Sequence, residues 1–163
     1  MHSHDHCCDH DHCEHKEHHH NHSQHHVEEA LEILKEAGYK HTNKRQRLVE
    51  ILNDANRYLS AKQVQELIAP EFPQLSYDTI YRNLYTFVQL NILEETEFNG
   101  EKLFRFRCKS HGHHHHFICE KCGSTKEIDM CPMDFFKEQL EGCEIHSHRF
   151  EIFGLCEKCA SKA

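Results

Sequence analysis

Between Val27 and Leu90 the apolar residues recur at helical spacing. Val27, Ala30, Leu31, Leu34 and Ala37 form one stripe, and Gly38 offers the left-handed stop that commonly ends a helix. Thr42 stands at an N-cap position ahead of Leu48, Val49, Ile51 and Leu52. Ser60-Ala-Lys-Gln63 has the form of a capping box and opens a stripe through Val64, Leu67 and Ile68, halted by Pro70 and Pro73. Ser76 caps a fourth helix, Tyr77 to about Leu90, with Ile80, Leu84, Phe87 and Val88 on its apolar side. The period then changes. Ile92–Phe98 and Glu101–Arg107 read as strands, and Asn99-Gly100 between them is a strong hairpin signal.

Helix, turn, helix, hairpin is the order of a winged helix-turn-helix, with the fourth helix as the recognition helix. Thr79, Arg82, Tyr85 and Thr86 fall away from its apolar stripe and suit phosphates, base edges and thymine methyls. An ordinary amphipathic helix with a solvated face has the same pattern; the order of the surrounding elements favours DNA. Lys40, Lys44, Arg45 and Arg47 cluster near the start of the second helix, as a phosphate grip or as a solvated charge run. The formal net charge is -8 at pH 7, so bulk basicity cannot drive nucleic-acid binding, and any basic surface must be local.

Beyond residue 108 the pattern shortens. Phe117–Cys119, Thr125–Asp129 and Phe150–Phe153 read as strands, and Pro132 opens a helix through Phe135, Phe136 and Leu140 that stops at Gly142. Two C-x2-C pairs, Cys119–Cys122 and Cys156–Cys159, supply the four thiolates of a closed tetrahedral zinc site. Redox dithiols are the alternative, but no thioredoxin-like βαβ unit surrounds them. In an extended His113–His116 run successive side chains alternate faces, so His114 and His116 share one side and His113 and His115 the other. One histidine run can thereby serve two metals.

Composition adds a third region. Residues 1–26 hold twelve histidines and three cysteines (Cys7, Cys8, Cys13) among polar residues, which predicts a disordered metal-binding tail. A purification tag is the alternative, although tags are usually uninterrupted histidine runs. Ten cysteines without a secretory apolar region argue for a cytoplasmic chain with thiols reduced or metal-bound, and no apolar run approaches a membrane span. No His-Glu-x-x-His motif occurs, so the chain is not read as an enzyme. The expected fold is α+β: a winged helix-turn-helix domain over 27–107, then a small α/β dimerisation domain over 108–163 with a four-cysteine zinc site. The second domain is too small to stand on its own core, so metal and a partner subunit share the work.

Leu75-Ser-Tyr-Asp-Thr-Ile-Tyr-Arg-Asn-Leu84, the wing, His113–His116, Cys119-x2-Cys122-Gly123 and Cys156-x2-Cys159 together resemble the Fur family of metal-sensing repressors, and within it the zinc-uptake (Zur) branch of Gram-positive bacteria. The resemblance implies a homodimer that binds palindromic operators of zinc-uptake genes when loaded with Zn2+. It implies a sensing site of Glu94, Cys108, His114 and His116 at the hinge, and a further regulatory site of His113, His115, Asp134 and His148. Asp134 stands where the family usually has glutamate. Cys108 as a thiolate favours zinc over iron. Cys131 and Cys143 have no role in the resemblance and are read as core or helix-end residues; His146 could compete with His148, and His111 is read as a loop residue. The candidate DNA contacts are Tyr77, Thr79, Tyr81, Arg82, Asn83, Lys44 and Arg45. Rival readings are the same fold sensing iron, manganese or peroxide, and a metal-storage protein acting through its tail.

Overall fold

The computed structural model describes residues 19–107 and 115–162, with side chains from His25 onward. Local chemistry sets most helix ends. In α1 (His19–Glu36), Ala30 and Leu34 are buried, and the helix closes with Gly38 N–H to Lys35 C=O and Tyr39 N–H to Leu34 C=O, both 2.9 Å. Gly38 at φ +85° makes that paired closure possible. The helix starts at His19, inside the stretch read as an unstructured tail. No proline or glycine interrupts His19–His26, and each residue added to a helix already anchored by Val27–Leu34 gains one backbone hydrogen bond.

The predicted caps hold. Thr42 accepts from the Arg45 N–H ahead of α2 (Asn43–Ala55). A two-residue strand, β1 (Leu59–Ser60), runs into α3 (Ala61–Ile68), where Ser60 and Gln63 cap each other reciprocally. Ser76 accepts from the Thr79 N–H at the start of α4 (Tyr77–Gln89). Ile80, Leu84 and Phe87 of α4 are fully buried, each stabilising by about 1.5–3 kcal/mol. They join Leu48, Val49, Leu52, Leu59, Val64, Ile68 and Phe104 in a single core.

The wing is β2 (Leu93–Phe98) and β3 (Glu101–Phe106), paired antiparallel so that Phe98 faces Glu101. Asn99 and Gly100 both have positive φ, 53° and 77°, as a two-residue turn of matching twist demands. β1 adds to the far edge of β3, giving the order β1-β3-β2.

The second sheet has the order β5-β4-β6. Its central strand β4 (His115–Cys119) pairs antiparallel with β5 (Thr125–Ile128) and parallel with β6 (Glu151–Gly154). The crossover to β6 carries the short α5 (Met133–Lys137) and a 3-10 turn (Glu138–Leu140); α6 (Glu157–Ala160) closes the second knuckle. This sheet has little core of its own: Met130, Phe135, Phe136, Leu140, Ile145, Phe150, Ile152 and Leu155 are exposed. Among the described residues no helix is long and apolar enough to cross a membrane.

The two modules touch directly. Tyr58 N–H donates to Gly123 C=O at 2.9 Å, and Arg57 Nη1 to Cys122 C=O at 2.8 Å. Thr96 Oγ1 donates to Glu151 Oε2 at 2.7 Å, and Arg149 Nη2 to Glu95 C=O at 2.7 Å. Phe98 of the wing stacks on Phe153 of β6, ring centres 5.1 Å apart.

Candidate metal centres and candidate DNA-binding helix

The two cysteine knuckles converge. The Sγ atoms of Cys119, Cys122, Cys156 and Cys159 all lie within 4.8 Å of one another, the donor set of a closed tetrahedral zinc site. The thiols are not equivalent. Burial works to raise Cys119, but the N–H groups of Cys156, Cys122 and Lys121 outweigh it and bring this thiol down to about 6. The Ser124 hydroxyl, and then the Cys159 N–H, hold Cys156 below the ordinary thiol value. Cys159 is pushed up to about 12, first by its hydrogen bond with Cys156 and then by desolvation. Backbone hydrogen bonding thus makes Cys119 more acidic than an ordinary thiol before any metal arrives.

A second constellation lies between the modules. Glu94 on β2 and His115, His116 and His148 line one cleft of about 300 Å³, together with Tyr58, Arg149 and Glu151. Glu94 lies 3.4 Å from Arg105 Nε, a buried guanidinium that also donates to Thr125 Oγ1 at 2.9 Å. Tyr58 O–H donates to Glu94 at 3.4 Å; burial, and then the Glu94 charge, push the phenol well above its usual pKa. In the sheet register His116 stands opposite Glu127 on one side and Glu151 on the other, so carboxylates flank it. Cys108, His113 and His114, named for the two regulatory sites, lie outside the described residues, as does His111.

The third grouping differs from expectation. His115, Cys131 and His148 bring their ligand atoms within 4.8 Å of one another. Asp134 is not in that group: its carboxylate meets Lys137 Nζ at 2.8 Å and its side chain is 89% exposed. An aspartate on the first turn of α5 reaches the lysine three residues on more readily than a histidine across the sheet edge. Cys131, expected in a core or at a helix end, is half-buried with Sγ 3.3 Å from His148 Nε2. His146 does not join the group, and Cys143 is exposed.

On α4 the exposed side carries Tyr77, Thr79, Arg82 and Tyr85. Arg82 pairs with Asp78 at 2.8 Å, yet both remain largely exposed. Three of the predicted contacts, Tyr81, Asn83 and Arg45, are partly occupied within the fold. Tyr81 packs edge-on against Phe104 of the wing and stacks on Tyr77. Asn83 bonds to Thr79 C=O and accepts from Arg45 Nε at 3.2 Å. Arg45 also donates to Lys40 C=O and lies over the Tyr39 ring, so it ties the α1–α2 connection to α4, while Lys44 is exposed.

Residues 36–153 match the Ferric uptake regulator family. The chain belongs to the Fur family. It is a metal-responsive transcriptional regulator of that family, whose members are regulators rather than enzymes. The Ferric uptake regulation protein of Staphylococcus aureus is 48% identical over 133 residues, covering 82% of this chain and 97% of that relative. Among solved structures, the Helicobacter pylori ferric uptake regulator superposes with a TM-score of 0.64 at 20% identity, covering 85% of this chain and 93% of that one. A zinc uptake regulator complexed with zinc and DNA gives 0.62 at 21%, covering 86% and 96%. At these identities the two structures speak to the fold alone, and the fold is the expected α+β one. The expected place in the zinc-uptake branch is matched only at the level of the Fur family, because the Staphylococcus aureus relative carries the ferric name.

Cys131, which had no role in the resemblance, follows β5 by three residues, and strand register is the signal that brings it to His115.

Proposed function

We propose that this chain is a DNA-binding repressor that acts as a homodimer and takes its signal from a divalent cation seated in the cleft between its modules. The supporting observation is that cleft: Glu94 comes from the wing, while His116 comes from the strand that leads into the first cysteine knuckle. A cation shared by the two sides would supply a cross-link that fixes the angle between them. Glu94 is prepared for this role, because Arg105 and Tyr58 hold its carboxylate at the cleft wall. The exposed face of α4 meets DNA, with Arg82, Thr79 and Tyr77 as contacts and Lys44 on phosphate. Tyr81 and Asn83 set the angle of α4 against the wing and α2. The apolar residues exposed on the second module, Phe135 and Ile152 among them, are the dimer face. The four-cysteine cluster holds structural zinc.

Iron(II) is the first reading of the signal. Carboxylates and imidazoles line the cleft, a donor set iron(II) accepts, and the 48%-identical relative is named for ferric uptake. Zinc, with zinc-uptake genes as targets, is the second reading, and the sensing role assigned by resemblance to the Cys108 thiolate favours it. The tail over residues 1–26 would buffer the same metal. The test is an anaerobic gel shift on palindromic operator DNA across buffered iron(II), manganese(II) and zinc(II), with bound metal measured in parallel. The expected coupling is about 1–3 kcal/mol, or roughly 5- to 150-fold in affinity. Equal operator affinity with and without every metal would sink the proposal.

A further inference from the structure

Three potential ligands meet at one edge of the second sheet for a topological reason. His115 begins β4, and Ile128, its partner in register, ends the antiparallel β5, with Cys131 three residues beyond. Glu151 begins the parallel β6 opposite His116, with His148 three residues before it. Two crossing directions thus deliver a thiol and an imidazole to the same end of β4. The resulting contacts are close. Cys131 Sγ is 3.3 Å from His148 Nε2, and the His115 and His148 ring centres are 5.3 Å apart. His115 is 5% exposed and sits edge-on to Phe150 at 5.4 Å, so its ring is held by packing.

We propose that His115, Cys131 and His148 form a thiolate-containing metal site, in which Cys131 supplies the donor that the family resemblance assigns to Asp134. This inference rests on the metal-binding part of the function above and not on its DNA-binding part. One soft thiolate and two imidazoles select zinc or cobalt over magnesium, calcium or manganese. The position is open to solvent through His148, which is exposed, so the metal exchanges where the zinc of the four-cysteine site does not. Asp134, engaged with Lys137, stays outside.

The test uses the full chain with its four-cysteine site first filled with zinc, followed by titration with cobalt(II). The parent develops a near-ultraviolet thiolate-to-cobalt charge-transfer band as the next equivalent binds. Asp134→Ala keeps that band and its stoichiometry. Cys131→Ser lowers the band by the share of one cobalt equivalent, any remainder arising from Cys108 and the tail cysteines, and zinc content after desalting falls by about one per protomer. His148→Ala, at an exposed position that folding tolerates, lowers it equally. No band in the parent, a band undiminished in Cys131→Ser or His148→Ala, or one diminished in Asp134→Ala overturns the assignment. Operator gel shifts on the same variants separate the two readings. A band with no metal-dependent DNA binding sinks the repressor and leaves the site, and the reverse sinks the site alone.

Discussion

Gly123→Ala tests whether the first cysteine knuckle is a docking surface for the winged module. Gly123 sits at φ +72°, where an L-residue loses about 1 kcal/mol relative to glycine. A Cβ there would stand 2.2 Å from the Tyr58 carbonyl oxygen, which is backbone and cannot swing aside. Relief requires the knuckle to withdraw by about 1 Å to reach ordinary van der Waals contact. That shift stretches the Tyr58 N–H to Gly123 bond at 2.9 Å and the Arg57 to Cys122 bond at 2.8 Å beyond useful range. Each contributes about 1 kcal/mol, so the whole loss is about 3 kcal/mol. Gly100→Ala is the control: φ is +77°, but nothing lies within 4 Å of its Cβ, so only the conformational part of about 1 kcal/mol remains. Urea unfolding of the metal-loaded protein, at fixed protein and free-metal concentrations, should put the two variants about 2 kcal/mol apart. If Gly123→Ala is no more destabilised than Gly100→Ala, the knuckle and Tyr58 do not pack as described.

Arg82→Ala should weaken operator binding about tenfold while leaving metal content and dimerisation unchanged; loss of either would make Arg82 structural. Glu94→Gln keeps the size of the side chain but removes its charge, and should abolish most of the metal dependence of operator binding; a response equal to the parent would remove Glu94 from the sensing cleft. Proton release on filling the metal-free four-cysteine site should rise by about one as pH falls through about 6. The sign follows from the lowered Cys119 pKa: above it the thiolate is already present, and below it zinc must displace a proton, so affinity falls more steeply with acidification. Calorimetry in buffers of different ionisation enthalpy reads this directly, and constant release across that range would contradict the lowered Cys119.

Caps and turns were legible because their chemistry is local. Thr42, Ser60 and Ser76 each bond a backbone N–H three residues on, and Asn99-Gly100 needs only its own two dihedrals. The apolar stripe of α4 and the C-x2-C knuckles were equally readable, since spacing alone puts Ile80, Leu84 and Phe87 on one side and paired thiols in one turn. Composition misled at His19–His26, where polarity hid the fact that a helix packed downstream can extend through any residues that do not break it.

The sequence by itself determined the elements of the winged module, the two C-x2-C pairs and the Fur-family motifs, because each depends on neighbours within a few positions. Only the tertiary structure decided that Cys131 rather than Asp134 meets His148, that Asn83 and Tyr81 brace α4, and that Gly123 lies against Tyr58. Those facts join residues far apart along the chain. They follow from strand register and from the approach of two modules, which no local pattern of side chains encodes.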